Sequence, residues 1–207
     1  ERPFIHGPTA VNTDAKAATL VEALPYLQRF RGKTFLIKIG GAAMDKPELV
    51  SSLMRDIVFL EVAGINPVLV HGGGKAISAA MEAAGLEARF VEGFRVTSPE
   101  AISVVETILG NTINPALVDL IDQHGGRALG IAGPGVFMAK RLRGSGPTPV
   151  DIGEVGEVQA CYTDEILRII ASETVPVISP LGREMDTGKT LNINADLAAA
   201  ALACSLK

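Results

Sequence analysis

At 207 residues, with 47% hydrophobic and 4% aromatic content and no tryptophan, the chain is long enough for one α/β domain or two small ones packed on Ala, Val, Ile and Leu. A formal net charge of -4, with no block of like charges, excludes a general nucleic-acid binder. Cys161 and Cys204 have neither metal-ligand spacing nor a disulfide framework, the start of the chain shows no signal-peptide pattern, and no apolar stretch is long enough to span a membrane; a cytoplasmic protein with two reduced core thiols is the expectation.

Residues 1–12, with two prolines and a glycine, read as a loose arm. Thr13 or Asp14 caps a predicted helix through about Phe30, whose Leu20, Leu24, Tyr26 and Leu27 recur near the helical period. Pro25 inside it should kink or split it. A helix ahead of the first strand has no place in a minimal strand–helix–strand unit, so it is either a packing helix or an oligomer arm. TFLIKIGG (34–41) is a buried strand stopped by two glycines, and Pro47 suits the first turn of a helix to about Ala63, stopped by Gly64. A second strand, INPVLVH (65–71), ends in Gly72-Gly73-Gly74, and a helix follows to near Gly85. RFVEGFRVT (89–97) alternates around Glu92-Gly93, which predicts a short hairpin acting as a flap.

Ser98-Pro99-Glu100 starts a helix that continues, interrupted at Gly110, to His124. Arg127 to Ala132 is a short strand closed by Gly133-Pro134-Gly135, and residues 137–142 and 154–160 form a hairpin around the loop 143–153. Thr163 caps a helix to about Ser172, VPVISP (175–180) is another buried strand, 186–188 is a turn, and LNINAD (191–196) leads into an alanine-rich helix from Asp196. Strands alternating with helices across glycine-rich turns predict a three-layer αβα sandwich with a mainly parallel open sheet.

Lys38 lies two residues from the end of the first strand, and lysine is a poor interior residue unless it meets an anion. Adjacent parallel strands would bring it, Gly40 and Gly41 to the same rim as Gly72, Gly73 and Gly74, where open α/β sheets bind ligands. Glycines between strand and helix let backbone N–H groups approach an anion, helped by the helix dipole; the alternatives are a tight structural turn and an edge lysine. Arg95 offers a fork suited to a carboxylate, or is an ordinary surface arginine. Asn192 and Asn194 point the same way on an extended segment, as an amide-reading site needs, and Asp196 is either a helix cap or part of that site. His71 reads as an orienting or packing group rather than a base.

IKIGG, VHGGGK, GFRVT and NINAD, in this order and spacing, resemble the acetylglutamate kinase branch of the amino acid kinase family, over about residues 33–207. The resemblance implies MgATP-dependent phosphorylation of the γ-carboxylate of N-acetyl-L-glutamate in arginine biosynthesis, with Mg2+ held mainly by the nucleotide phosphates. It implies that Lys38 stabilises the transferring phosphoryl group and that Gly40, Gly41 and Gly72 line the phosphates. Gly73 and Gly74 would contact substrate and oxyanion, Arg95 the α-carboxylate, Asn192 the acetylglutamate, and Asp196 would organise the lysines. Such a transfer needs positioning and charge stabilisation, and a carboxylate nucleophile needs no general base. Residues 33–207 then correspond to the acetylglutamate-binding lobe, with the ATP lobe and a second lysine expected beyond Lys207. LVEALPYLQRFRGK resembles the N-terminal helix of hexameric, arginine-inhibited forms, which implies a homo-oligomer, dimer or hexamer, with residues 1–32 as the contact. The neighbouring readings are a kinase for acetylaminoadipate or a carrier-linked analogue, and a non-catalytic amino-acid-sensing domain. Lys38 and Asp196 favour the kinase, since a sensor needs no phosphoryl-transfer charges.

Overall fold

The computed structural model describes residues 13–143 and 151–207. The expected arm at 1–12, the caps offered by the Thr13 and Asp14 side chains, and most of the loop 143–153 lie outside the described residues. In chain order, helix α1 (Thr13–Phe30) leads into strand β1 (Thr34–Ile39), a 3-10 turn (Gly41–Asp45) and helix α2 (Pro47–Val62). Next come β2 (Asn66–His71), α3 (Gly74–Ala83), β3 (Phe90–Val91) and β4 (Phe94–Arg95). One continuous helix spans α4 (Ala101–Glu106), a π turn (Thr107–Ile113) and α5 (Asn114–Gln123). Then follow β5 (Ala128–Ile131), a tight turn (Gly133–Gly135), β6 (Phe137–Arg141), β7 (Val155–Cys161), α6 (Asp164–Ala171), β8 (Val175–Ile178), β9 (Leu181–Glu184), β10 (Thr190–Ile193) and α7 (Ala195–Ser205).

The central sheet has the order β1-β2-β8-β5, and every neighbouring pair is parallel. Its alternation sorts the core into two layers. Val68, Val70 and Ile178 face α6 and α7, packing with Ile166, Ile169, Ala198 and Leu202. Leu69, Val175 and Val177 face the other way, onto Val50, Met54, Ile57, Leu117 and Ile121 of α2 and α5. A sheet covered on both faces explains why β2 and β8 read as unbroken apolar runs, and each fully buried Val or Leu is worth about 1.5–3 kcal/mol. The three-layer αβα reading with a parallel sheet is therefore what the chain adopts.

A second unit, the closed four-stranded barrel β10-β7-β6-β9, was legible only as a hairpin. β6 and β7 do pair antiparallel, but β9, which closes the barrel against β6 and β10, went unread. Four further expectations are corrected. Helix α1 runs through Pro25 without splitting, because Pro25 forfeits only the bond to the carbonyl of Val21, whose neighbourhood is exposed enough to be hydrated. Thr163 occupies the N-cap position of α6 without a side-chain capping bond. The helix Ala101–Gln123, of mean hydropathy 1.3, is long and apolar enough to cross a membrane by length and composition. Its Ala101, Val105, Leu109, Leu117 and Ile121 are instead buried against α3, α2 and the sheet, as in a core helix. Cys161 is half-buried and Cys204 exposed, so neither is a full core thiol; burial raises the Cys161 pKa.

Candidate active site

β1 and β2 end side by side, and Gly72 N–H donates to the carbonyl of Ile39 at 2.7 Å, so the ladder extends into the glycine turns. Above them opens a cavity of about 180 Å³, bounded by both turns, by the hairpin β3–β4 and by the end of β10. Lys38, Gly40, Gly41, Gly72, Gly73, Gly74, Arg95 and Asn192, each singled out from sequence, all line it. Asp196 does not line it but sits beside it, with Oδ1 2.9 Å from Lys38 Nζ.

The Lys38 side chain curls back over Gly40, where a Cβ would lie 2.6 Å from its Nζ. Gly40 is thus the space the lysine needs. Asp196 is the second residue of α7, and Asn194 rather than Asp196 is the cap: its Oδ1 accepts from the N–H groups of Asp196 at 2.9 Å and Leu197 at 3.2 Å. The two asparagines therefore divide. Asn194 ends the strand and starts the helix, which leaves the 72% exposed Asp196 carboxylate for Lys38.

Gly73 precedes α3, whose first N–H groups have no intrahelical partner and carry the positive end of the helix dipole. Gly73 is packed so closely that a Cβ would meet Ile113 Cδ1 at 2.6 Å. The cavity floor there is bare backbone, as an anion cradle requires.

Arg95 enters from the hairpin, whose two-residue turn has positive φ at Glu92 (49°) and Gly93 (83°), the conformation that matches strand twist. The residue is only 6% exposed, and its guanidinium donates from Nη2 to Gly74 O at 2.6 Å and to Ser78 Oγ at 3.0 Å and stacks 4.6 Å over the Phe90 ring. Phe90, not the adjacent Phe94, is its apolar anchor. No carboxylate among the described residues is within ion-pairing distance of it, and burial lowers its pKa. Asn192 is buried beside it; its Nδ2 donates to Thr97 Oγ1 at 3.1 Å, and that hydroxyl donates to Arg95 O at 2.9 Å. Thr97 lies in GFRVT yet was not singled out. Two other pairings also escaped sequence reasoning: Lys75 Nζ with Asp45 Oδ2 at 2.6 Å, joining the two glycine turns, and Asn114 with His71. Neither carries a local signal, since each partner lies tens of residues away.

Residues 33–207 match the amino acid kinase family. Acetylglutamate kinase of Akkermansia muciniphila is 57% identical over 194 residues, covering 93% of this chain and 65% of the relative. Acetylglutamate kinase of Halothermothrix orenii is 47% identical over 194 residues, covering 93% of this chain and 66% of the relative. The chain thus spans just under two thirds of the length of these relatives. A solved N-acetylglutamate synthase from Neisseria gonorrhoeae, complexed with coenzyme A and N-acetyl-glutamate, superposes with a TM-score of 0.78 at 24% identity, over 92% of this chain and 43% of that one, which is a likeness of fold. With most of its length matched and the glycine-turn site in place, the chain belongs to the amino acid kinase family.

Proposed function

We propose that this protein, in its full length, transfers the γ-phosphoryl group of ATP to the side-chain carboxylate of N-acetyl-L-glutamate. The observation that carries the reading is Arg95: a buried cation with neutral partners only, in the same cavity as Lys38 and two glycine turns. A buried charge without a counter-ion is costly, and a ligand carboxylate removes the cost. The 47–57% identity to proteins called acetylglutamate kinase supports the same substrate.

Arg95 holds the α-carboxylate and Asn192 the acetylated amino acid. The opposite carboxylate then faces the glycine turns. One of its oxygens attacks the γ-phosphorus, the bond from that phosphorus to the ADP oxygen breaks, and ADP leaves with the electron pair; no proton moves. Lys38, held by Asp196, and the N–H groups of Gly73 and Gly74 meet the charge spread over the equatorial oxygens, while Gly40, Gly41 and Gly72 face the phosphates. Mg2+ would neutralise phosphate charge and be held mainly by the nucleotide phosphates. Residues 33–207 are the acetylglutamate-binding lobe of this cytoplasmic enzyme. α1, with Leu20, Val21, Leu24 and Tyr26 exposed, is a contact between subunits of a homo-oligomer.

The test is the full-length protein with N-acetyl-L-glutamate and MgATP, the acyl phosphate being trapped with hydroxylamine. Hydroxamate formation with acetylglutamate and none with glutamate is expected. No hydroxamate, or equal turnover of acetylaminoadipate, overturns the assignment.

A further inference from the structure

A buried polar chain lies behind the glycine turn. His71, the last residue of β2, is fully buried, and burial lowers its pKa to about 4, so the imidazole is neutral. Its Nδ1 is 3.2 Å from Gly72 O and its Nε2 is 3.1 Å from Asn114 Nδ2. The proton positions are forced from both ends. Gly72 O can only accept, so the imidazole proton is on Nδ1; Nε2 is then bare and accepts from Asn114. The second hydrogen of Asn114 Nδ2 goes to Val177 O at 2.9 Å, which fixes the amide against the middle of the sheet. Gly130 on β5 leaves the amide its space, since a Cβ there would overlap Asn114 Oδ1.

Asn114 stands where the π turn Thr107–Ile113 gives way to α5. The same turn supplies Ile113 and Leu109, whose methyl groups press on Gly73. A π turn costs helix geometry and is kept where it re-aims side chains. Here it does so twice, toward Gly73 and toward His71.

We propose that His71 and Asn114 are positioning residues for the glycine turn, pinning the Gly72 carbonyl to the interior so that the Gly73 N–H faces the cavity. The step from carbonyl to N–H is covalent: in a planar trans peptide the two point in opposite directions, so anchoring one aims the other. A glycine pair has no side chain to resist a peptide flip, and the imidazole supplies that resistance. The inference rests on the reading of Gly72–Gly74 as the phosphoryl-facing turn.

Two substitutions at one site in the full-length protein separate the halves of the imidazole. His71→Asn keeps a donor near the Nδ1 position, and His71→Gln keeps a group near Nε2 but none at Gly72 O. The expected result is a kcat lowered about 10–100-fold in His71→Gln, below the 10²–10³ cost of deleting a donor outright. Both KM values should stay within about twofold, and His71→Asn should recover most of the loss. Asn114→Ala, acting from the helix, should lower kcat in the same sense but less, and serves if His71→Gln does not fold. A folded His71→Gln, or with that variant unfolded a folded Asn114→Ala, that keeps parental kcat overturns the proposal, as does an equal loss in His71→Asn. If the parent itself makes no acyl phosphate, the reading of the reaction fails alone. The positioning claim is then decided by the Gly73 and Gly74 amide resonances, which must move in His71→Gln and which overturn it if they do not.

Discussion

Two arginines in this chain, one buried and one half-buried, meet the need for a counter-charge in opposite ways. Arg141, on β6 of the barrel, donates from Nη2 to Glu154 at 2.5 Å and from Nε to Glu184 at 3.0 Å, and Glu184 is further held by the Thr187 hydroxyl. The two carboxylates raise the Arg141 pKa, and Arg141 and Thr187 lower that of Glu184. Arg95 is more deeply buried yet has only a carbonyl, a hydroxyl, a thioether and a ring around it. Compensated charge is architecture, because it asks nothing of a ligand. Uncompensated charge is a request for one. The largest expected effect tests that contrast directly. Losing one partner of a desolvated charge pair costs about 2–5 kcal/mol, so Arg95→Ala should raise the acetylglutamate KM by roughly 30-fold or more. The ATP KM and the melting temperature should hardly change. Equal shifts in both KM values would remove Arg95 from the substrate site.

The reciprocal change belongs to the barrel. Arg141→Ala leaves Glu154 and Glu184, with side chains 9% and 7% exposed, without the guanidinium that both of them bind. Breaking a buried pair in this way costs roughly 3–5 kcal/mol; the low end applies, about 3, because the Arg141 side chain is 32% exposed and its charge partly screened. Denaturant unfolding should show that loss at pH 7, while substrate KM values in the folded protein stay near parental. A stable Arg141→Ala with an altered KM would reverse the roles of the two arginines.

The same contrast explains what could be read in the sequence. β2 and β8 were legible because burial on both faces makes each an apolar run, and the glycine turns because they break such runs; β1 also reads as an apolar run, but it is an edge strand in which only Ile39 is fully buried, not the buried strand expected. The residues around the cavity were legible as short strings at strand ends. β9 was not: Leu181–Glu184 holds a glycine and two charged residues in four positions, and Glu184 points inward only because Arg141, 43 residues away in sequence, waits there. Asp196 was open as either a helix cap or a site residue, because Asn and Asp both cap helices, and only geometry gives the cap to Asn194. His71 was read as an orienting or packing group, but its partner Asn114 reaches it through a π turn that Gly110 announced merely as an interruption.

His71 supplies a third solution, which is to have no charge. Its pKa falls from the usual 6.5 to about 4, so the unfolded chain takes up a proton below pH 6.5 that the folded chain refuses until pH 4. Stability from this group is fully present above pH 6.5 and lost as pH falls toward 4, reaching about 2 kcal/mol by pH 5. The difference in unfolding free energy between pH 7 and pH 5 should therefore shrink by about that amount in His71→Asn. An unchanged difference would mean that the buried imidazole accepts the proton inside the fold.

The smallest effect concerns an exposed pair, Lys38 with Asp196, which is 29% and 72% exposed and so adds little to stability. Its value is orientation, and orientation comes from Asn194 two residues earlier. Removing that cap should cost about 1 kcal/mol of stability in Asn194→Ala, since the N–H groups of Asp196 and Leu197 lose their acceptor. Asn194→Asp should restore the cap and most of the stability. Both variants should lose kcat, for different reasons. In Asn194→Ala the first turn of α7 loosens and Asp196 no longer holds Lys38 in one place, so kcat should fall with the cap. In Asn194→Asp the turn is firm, but a second carboxylate now lines the same cavity as Lys38 and competes with Asp196 for it, so kcat should fall although the cap is intact. Denaturant unfolding and kcat measured on both variants separate cap from charge. A fully active Asn194→Asp would show that Lys38 is placed by Gly40 alone and that Asp196 is dispensable to it.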